Sequence, residues 1–290
     1  EERPEIPAGA PLALIHRWIL HRLNVVTGEV QESLETFRFD VAADRLYHFF
    51  WDEYADWYIE MVKPHLQAGG DEGRIAQAVL LEVHDRTLRL LHPIIPFVTE
   101  ELWQHLPRRA SDGPTVTPAA WPKVRPEWVD EAADAEVGLL QGVVTTIRTA
   151  RAEGKVKPSA KVGVTLEGAG EEQVRILRAQ QRYLTTLAGL SSFEFGAEAP
   201  GGEDLVTRVL GDLRVHIQLP HRDRGAEVEK LRKQLADKLR EVAGVDAKLA
   251  NEEFVAKAPA RVVEGARAQR DKLLVEQRRI EETLRELGEP

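Results

Sequence analysis

Three carboxylates in the first half of the chain are spaced so that they could act together in acid–base chemistry. Glu53, Asp56 and Glu60 stand three and four residues apart, so on a regular helix they share one face and could pass a proton between them. A solvated helix face explains the same spacing and is far more common, because no base or nucleophile accompanies them. We therefore predict no catalytic residue and no metal site in this chain.

The sequence also lacks the short motifs that bind nucleotides or activate water. Neither Gly-x-x-x-x-Gly-Lys-[Ser/Thr] nor Gly-x-Gly-x-x-Gly occurs, and there is no His-Glu-x-x-His. Cysteine is absent, which excludes disulfides, thiolate metal ligands and a thiol nucleophile. These absences favour a binding function over catalysis.

Positive charge is concentrated in residues 148–161, where five bases accompany a single acid, Glu153. The bases are Arg148, Arg151, Lys155, Lys157 and Lys161. Bases near the C-terminal end of a helix are favoured by its dipole, which is a purely structural explanation. The same charges could neutralise the phosphates of a nucleic acid. The pattern leaves both explanations open.

The last quarter of the chain, residues 223–290, carries two heptad-patterned segments separated by a short break at residues 249–259. Apolar residues recur along the first segment at Val228, Leu231, Leu235, Leu239, Val242, Val245 and Leu249. The same steps of three and four continue in the second segment at Ala266, Arg270, Leu273, Gln277, Ile280, Leu284 and Leu287. The pattern predicts two helices that fold back on each other as an antiparallel coiled-coil hairpin.

The break between these two segments holds a bulky apolar pair beside positive charge. Phe254 and Val255 stand in the expected turn, flanked by Lys248, Lys257 and Arg261. An apolar pair surrounded by basic side chains could stack on an exposed nucleobase while those side chains contact phosphates. Phe254 could equally cap the interior of the hairpin, and both roles remain open.

Composition and charge fit an ordinary soluble protein of two or three domains. The chain has 290 residues, a net charge of −9 and no cysteine, and residues 223–290 hold 15 acids and 15 bases. The excess of acid therefore lies in residues 1–222, which argues against coating of this part by nucleic acid but allows local basic faces. No apolar run is long enough for a membrane helix. The only methionine is Met61, so we expect a fragment or a processed product.

Hydrophobic periodicity divides the rest of the chain into a helical part and a mixed part. Four helices are expected in residues 1–126: from Leu12 to about Leu34, from an N-cap at Asp40 to Val62 where Pro64 stops it, from Arg74 to Leu91, and from Pro96. Short joins predict an antiparallel bundle, followed by a linker or lid at residues 108–126. Residues 127–222 alternate between helical and strand patterns and predict a small α/β module.

Four stretches resemble the C-terminal portion of the valyl-tRNA synthetase family, and the resemblance covers essentially the whole chain. They are Arg17-Trp-Ile-Leu20 with Asn24, residues 37–64, Leu91-His-Pro-Ile-Ile-Pro-Phe-Val-Thr-Glu-Glu-Leu-Trp103, and Lys248-Leu-Ala-Asn-Glu-Glu-Phe-Val-Ala-Lys-Ala-Pro259. The third stretch is shared with the isoleucyl and leucyl synthetases. The fourth, on its hairpin, is characteristic of the valyl enzymes.

The resemblance implies a fold and a role for each part. The fold is mainly α: a helical anticodon-binding domain with a linker (1–126), a small α/β connecting domain (127–222) and a coiled-coil arm that packs on the tRNA elbow (223–290). Its anticodon-binding candidates are Arg17, Arg22, Asn24 and Arg38. Its tRNA-backbone candidates are the five bases of residues 148–161, and its elbow candidates are Lys248, Phe254, Val255, Lys257 and Arg261.

The resemblance also implies what this chain alone does not do. The family's adenylation motifs, His-Ile-Gly-His and Lys-Met-Ser-Lys-Ser, do not occur, nor does its editing domain. ATP and Mg would bind elsewhere in the parent enzyme, and this chain is expected to hold no cofactor and to be inactive by itself. The expected partner is a tRNA with a valine anticodon rather than DNA or a membrane, bound by a cytoplasmic monomer.

Two other functions fit parts of the sequence. A coiled-coil scaffold would use residues 223–290 to pair with another protein. An isoleucyl or leucyl synthetase would share the bundle motifs, but the terminal hairpin argues against it.

Overall fold

The computed structural model describes residues 3–107, 109, 112–196, 204–220, 224–251 and 259–286. Their contacts divide the chain into two units, Glu1–Leu219 and Pro220–Pro290. The described residues are mostly helical, with one four-stranded sheet of mixed direction. The mainly α composition and the small α/β part expected from the sequence are therefore confirmed.

The first unit begins with an antiparallel bundle. Its elements are α1 (Leu14–Glu35), α2 (Phe39–His48), a π-helical stretch (Phe49–Tyr58), α3 (Ile59–Ala68), α4 (Gly70–Leu91) and α5 (Pro96–Gln104). Apolar side chains recur along the inner face of α1, and Ile15, Leu23 and Val30 are completely buried. This spacing of seven or eight residues is two helical turns, so α1 lies against the core along most of its length.

Two of the predicted helix boundaries are wrong. α2 begins at Phe39, two residues before the start that an N-cap at Asp40 implies, so Asp40 lies in the first turn and is not the N-cap. Pro64 lies inside α3 instead of ending the helix. A proline removes one backbone hydrogen bond, but Val62 and His65 on either side of it are buried, and their packing keeps the helix intact.

The helix expected between residues 40 and 62 is present but changes its winding in the middle. Phe49–Tyr58 is π-helical, with hydrogen bonds that span one more residue than in an α-helix. The wider turn brings Phe49, Tyr54 and Tyr58 into the core. The aromatic residues of this stretch are therefore mainly core residues, as the helical spacing indicated.

Residues 112–130, which we call the strap, include most of the segment 108–126 that was expected to form a linker or lid. The Arg86 guanidinium donates a 3.1 Å hydrogen bond to the Lys123 carbonyl. The buried Asn24 amide donates to the Arg125 carbonyl at 3.0 Å and accepts from the Arg125 amide at 2.6 Å. These contacts fix the strap along α1 and α4. The expected absence of regular structure is correct over most of the strap, but the segment is anchored to the bundle.

An α/β module completes the first unit. It contains α6 (Glu131–Glu153), β1 (Val162–Glu167), α7 (Glu171–Ala179), α8 (Gln181–Ala188), β2 (Leu190–Phe195), β3 (Leu205–Leu210) and β4 (Leu213–Gln218). The strand order is β2-β1-β4-β3, with β1 parallel to β2 and antiparallel to β4. The single helix expected from residue 171 to 187 is divided at Gln180 into α7 and α8.

The bundle and the module share one hydrophobic core. Helix α6 packs on α1 and also on α8, β3 and β4, and Val137, Leu140, Val144 and Ile147 are completely buried along it. Their buried residues form a single continuous cluster with those of α1. The boundary expected at residues 126 and 127 therefore does not separate two independent cores.

The second unit contains α9 (Arg224–Ala250) and α10 (Ala260–Glu286). Val242, Val245 and Leu273 are buried between these two helices. Ion pairs flank them, with Lys238 Nζ 3.1 Å from Glu276 and Arg270 Nε 2.5 Å from Asp246. Within the described ranges, no helix of either unit is both long enough and apolar enough to cross a membrane.

Buried ionisable groups hold the first unit together. His16 Nδ1 lies 2.9 Å from the Tyr58 hydroxyl, and burial, with the charges of His65 and Arg182, lowers the pKa of His16 to about 3. Burial alone would raise the pKa of Glu82. Its hydrogen bond from Arg86 and the charges of neighbouring arginines outweigh burial and lower that pKa to about 2. Both groups hold fewer protons in the folded protein than they would unfolded.

We predict that acid destabilises this fold and that His16 contributes a measurable part of the effect. Below pH 6.5 the unfolded chain protonates His16 while the folded chain does not until about pH 3, so the free energy of unfolding falls by up to about 1.4 kcal/mol per pH unit. Glu82 adds to the loss below its ordinary pKa of 4.5. The free energy of unfolding, measured in urea at several pH values between 7 and 4, should fall less steeply with decreasing pH for His16→Gln than for the unmodified chain.

The control for this measurement is His105→Gln, because the His105 side chain is 74% exposed. That variant should keep the full pH slope. If the free energy of unfolding depended on pH equally in the two variants, protonation of His16 would not be a cause of the acid destabilisation.

Candidate nucleic-acid interface

The first helix presents three of the four anticodon-binding candidates, and two of them are ion-paired. Arg17 donates a 2.6 Å hydrogen bond to Asp130, and its side chain remains 39% exposed. Arg22 donates two hydrogen bonds to Glu53, at 2.7 and 2.8 Å, which raise the pKa of its guanidinium. Both guanidinium groups therefore bind carboxylates of other elements in the first unit.

Asn24 and Arg38 have opposite environments. Asn24 is buried and uses its amide to hold the strap, so it is not available to a base in this conformation. Arg38 is exposed at the corner between α1 and α2 and makes no ion pair within the described residues. The structure does not bring Arg38 together with Arg17, which lies near the start of α1, whereas Arg38 follows its end. The role of all four in RNA binding stays a prediction.

The two arginines of the basic segment serve the fold. Arg148 donates to the Leu187 carbonyl at 2.9 Å, and its guanidinium lies 5.5 Å from the centroid of the Trp57 ring. Arg151 reaches the carbonyls of Gly189, Lys157 and Pro158 at 3.3 to 3.4 Å. A planar guanidinium suits this bridging of carbonyls. Both arginines therefore have a role in the fold, and their role in RNA binding stays a prediction.

The three lysines of the same segment remain exposed. Lys155, Lys157 and Lys161 follow α6 on a turn fixed by the Val156 amide, which donates to the Arg151 carbonyl at 2.9 Å. The acid of this segment, Glu153, is paired with Arg208 on β3. No described carboxylate pairs with the three lysines, so they form a small patch of uncompensated positive charge, which we call the lysine patch.

Two of the three carboxylates that could have acted together in acid–base chemistry bind different basic side chains. Glu53 accepts from Arg22, and Glu60 lies 2.5 Å from Lys63 Nζ, while Asp56 is exposed on the π-helical stretch. The change of winding between Glu53 and Glu60 also removes the common face that a regular helix would give them. Among the described residues no group of three or more His, Asp or Glu is arranged to hold a metal ion.

The elbow candidates lie around the break between α9 and α10. Lys248 is exposed in the last turn of α9, and Arg261 is exposed at the start of α10. Phe254, Val255 and Lys257 lie outside the described residues. Two of the five candidates thus have an observed position, both beside the break.

Sequence reasoning missed a buried group that joins the bundle to the module. His65 Nε2 on α3 lies 2.5 Å from the hydroxyl of Tyr183 on α8, and Arg182 donates to both. These residues are more than one hundred positions apart in the chain. No local pattern of the sequence signals such a pairing.

Comparison with known proteins identifies two regions of the chain. Residues 16–166 match the family described as the anticodon-binding domain of tRNA ligases, and residues 223–288 match the family described as the valyl-tRNA synthetase tRNA-binding arm. The first match covers the bundle, the strap, α6 and most of β1. The second covers α9 and α10.

Similar proteins named valine–tRNA ligase come from several bacteria. The chain is 36% identical to the protein of Thermotoga maritima over 289 residues, which is 99% of this chain and 32% of the relative. It is 38% identical to that of Geobacter sulfurreducens over 89% of this chain and 29% of the relative. For Nitratidesulfovibrio vulgaris the values are 35%, 92% and 31%. The chain thus spans about a third of the length of the curated relatives it matches.

Along the chain, the anticodon-binding match falls on the helical bundle and the match to the tRNA-binding arm falls on the two long terminal helices. The three relatives are similar over 89 to 99% of the chain and not over a single motif. The chain belongs to the valyl-tRNA synthetase family, of which it contains the anticodon-binding domain and the tRNA-binding arm.

Proposed function

We propose that this chain is the tRNA-binding part of a valine–tRNA ligase and that it binds one tRNA at two separated places. The observation that carries the proposal is the presence of both family matches, the anticodon-binding domain and the tRNA-binding arm, on one chain. The relatives named valine–tRNA ligase support valine as the amino acid of the parent enzyme. These matches do not favour the alternative of a coiled-coil scaffold.

The three functional parts in this proposal are residues 1–126, 127–222 and 223–290. The first two act as one body, because they share a continuous core. The first part contacts the anticodon loop with the exposed portion of the first bundle helix, where Arg17 is the accessible basic side chain. The middle part contributes the lysine patch to the RNA backbone. Phosphate contacts of this kind position the RNA, and base contacts specify it.

We infer that α9 and α10 form an antiparallel coiled-coil arm. Lys238 pairs with Glu276 while Asp246, further along α9, pairs with Arg270, earlier on α10. Residue numbers thus fall on α10 as they rise on α9, which is the antiparallel sense. The buried side chains between them belong to the predicted heptad stripes. Such an arm adds a second attachment point and raises affinity through effective concentration.

The remaining features of the proposal concern the whole enzyme. The cognate RNA is a tRNA with a valine anticodon, bound by a monomer in the cytoplasm, where aminoacyl-tRNA is used; DNA is not a ligand. ATP and Mg belong to regions of the enzyme outside the part matched by this chain. This chain contributes RNA binding and no bond-forming step.

The lysine patch gives a test of the backbone contacts. We expect the chain to bind tRNA weakly and with steep salt dependence between about 50 and 200 mM salt. Lys155→Gln should lower the slope of log affinity against log salt by about 1, and the triple variant with Lys157→Gln and Lys161→Gln by roughly 2 to 3. Filter binding measures both quantities.

Lys63→Gln is the matched control, since it removes one lysine whose ammonium is already paired with Glu60 at 2.5 Å. It should leave the salt slope unchanged. Equal effects of Lys63→Gln and Lys155→Gln would show that the patch is not a phosphate site, and absence of any tRNA binding at low salt would refute the proposed function.

The turn of the arm gives a second test. Phe254→Ala should weaken tRNA binding by roughly 1–3 kcal/mol if the ring stacks on a base, with little change in melting temperature. Val275→Ala, at an exposed position of α10 outside the heptad stripes, should leave tRNA affinity unchanged. A loss of stability as large as the loss of affinity would instead indicate that Phe254 caps the hairpin.

The absence of adenylation motifs gives a third test. Valine-dependent exchange of pyrophosphate into ATP should not exceed background with the purified chain, because no nucleotide-binding loop occurs in its sequence. A relative such as the Thermotoga maritima ligase serves as the active control. Exchange above background by this chain would contradict a purely RNA-binding role.

A further inference from the structure

Several arginines surround one buried carboxylate of α4 under the strap. Glu82 accepts hydrogen bonds from Arg86 at 2.6 Å and from Arg3 at 2.8 Å. Arg109 donates to the same carboxylate at 2.5 Å, and the guanidinium of Arg125 lies 3.9 Å from it. Glu82 thus connects the four arginines directly, and we call them the arginine cluster.

Hydrogen-bond donors outnumber acceptors in this cluster. A carboxylate offers about four acceptor positions, and three arginines already occupy Glu82. The Nε atoms of Arg3 and Arg109 are buried without a hydrogen-bond partner among the described residues. At 3.9 Å, Arg125 is too far from Glu82 for a hydrogen bond, and within the described part of the chain its guanidinium donates none. Its N–H groups are therefore available to an acceptor from outside.

The strap holds the Arg125 side chain in a defined position. Its guanidinium carbon lies 4.7 Å from the centroid of the Trp128 ring, and that of Arg86 lies at the same distance. The short helical turn Pro126–Trp128 brings the Trp128 amide to the Arg125 carbonyl, at 3.0 Å, and side chains three residues apart eclipse in such a turn. The Arg125 backbone is bound by Asn24. The side chain is thus fixed at its backbone and its ring contact while 43% of it is exposed.

Charges around Arg125 nearly balance, so net charge alone does not select its ligand. The bases of the connected ion pairs and of residues 121–129 are Arg3, Arg86, Arg89, Arg109, Lys123 and Arg125. The acids are Glu5, Glu82, Asp85, Asp112 and Glu127. The selection comes from the oriented fork of Arg125, whose donors match two oxygens on one centre, as in a phosphate or a carboxylate.

The position of Arg125 beside α1 favours the phosphate of an RNA. Residues 125–130 of the strap meet α1 at both of their ends, since Arg125 is bound to Asn24 and Asp130 is bound to Arg17. Arg17 is the accessible basic side chain of that helix. The seven residues from Arg17 to Asn24 span about 10 Å of helix, so one RNA strand that meets Arg17 can also reach Arg125.

We propose that Arg125, held on the Trp128 ring, binds a phosphate of the RNA backbone beside Arg17. This inference rests on the proposed function and adds the strap to the RNA-binding surface. The contact has a fixed direction, because a guanidinium fork binds two phosphate oxygens at once, whereas the ammonium groups of the lysine patch act as point charges.

Substitution of Arg125 tests the contact through tRNA binding. Arg125→Gln should weaken binding of a tRNA with a valine anticodon roughly tenfold and lower the slope of log affinity against log salt by about 1. The melting temperature should change little, because Asn24 binds the backbone of Arg125 and not its side chain. Arg125→Lys should keep the salt slope of the unmodified chain, since it keeps the charge, but should not restore the full affinity, since it lacks the fork.

Arg175→Gln is the matched control. The Arg175 side chain is 62% exposed, and its guanidinium donates two hydrogen bonds to Glu172. This variant should leave both the affinity and the salt slope unchanged. Equal effects of Arg175→Gln and Arg125→Gln would overturn the proposal, because loss of any surface arginine would then be sufficient.

Modification of arginines by phenylglyoxal, read by mass spectrometry, separates the sources of the bound phosphate. Arg125 should react in the free chain and should be protected by tRNA, whereas inorganic pyrophosphate at millimolar concentration should not protect it. Protection by pyrophosphate alone would assign Arg125 to a free phosphate compound. Protection that needs no RNA and increases with the concentration of the chain would assign it to a carboxylate of a second copy. Both results would overturn the proposal.

The two measurements also distinguish this inference from the proposed function. A chain that binds tRNA while Arg125 stays reactive would overturn the inference and leave the proposed function intact. A chain that binds no tRNA at low salt would refute the proposed function itself, and the inference with it.

Discussion

The first unit depends on the way α6 is fixed to the helical bundle. Asp130 caps α6 by accepting from the Ala133 amide at 2.9 Å and accepts from Arg17 on α1 at 2.6 Å. The same carboxylate therefore starts one helix and binds it to another. From this point α6 buries Val137 and Val144 in the core shared with the sheet. Bundle and module consequently form one body, which fixes the lysine patch relative to α1.

Arginine and lysine have different tasks in this body. Arg151 and Arg86 direct their guanidinium groups to backbone carbonyls, and Arg22 binds a carboxylate with two hydrogen bonds. Lys155 and Lys157 keep their ammonium groups in solvent. The rigid fork of arginine suits internal bridging, whereas a hydrated ammonium on a flexible chain suits contact with phosphates. Among the described residues the arginines named here are thus used within the fold, and the phosphate contacts of the proposed function fall to the lysine patch.

The sequence predicted the elements with strong periodicity and failed where distant residues decide. The bundle, the module and the two terminal helices follow from spacing. Pro64 was taken as a helix end because a single sequence cannot show that His65 beside it packs against the module. Asn24 was a candidate through the family resemblance, but its buried amide donates to and accepts from the backbone of Arg125, one hundred and one residues away in sequence. The concentration of basic residues after a helix end indicated residues 148–161, but it did not separate Arg148, which binds the Leu187 carbonyl, from the exposed Lys155.

We propose that one chain contacts one tRNA at two separated places. The most direct measurement is a crosslinking map between the 290-residue chain and a tRNA with a valine anticodon, read by mass spectrometry. Anticodon-loop nucleotides should crosslink within residues 16–166, and elbow nucleotides should crosslink within residues 223–288. Crosslinks confined to one of these regions, or an unchanged map with tRNAs of every other anticodon, would contradict it.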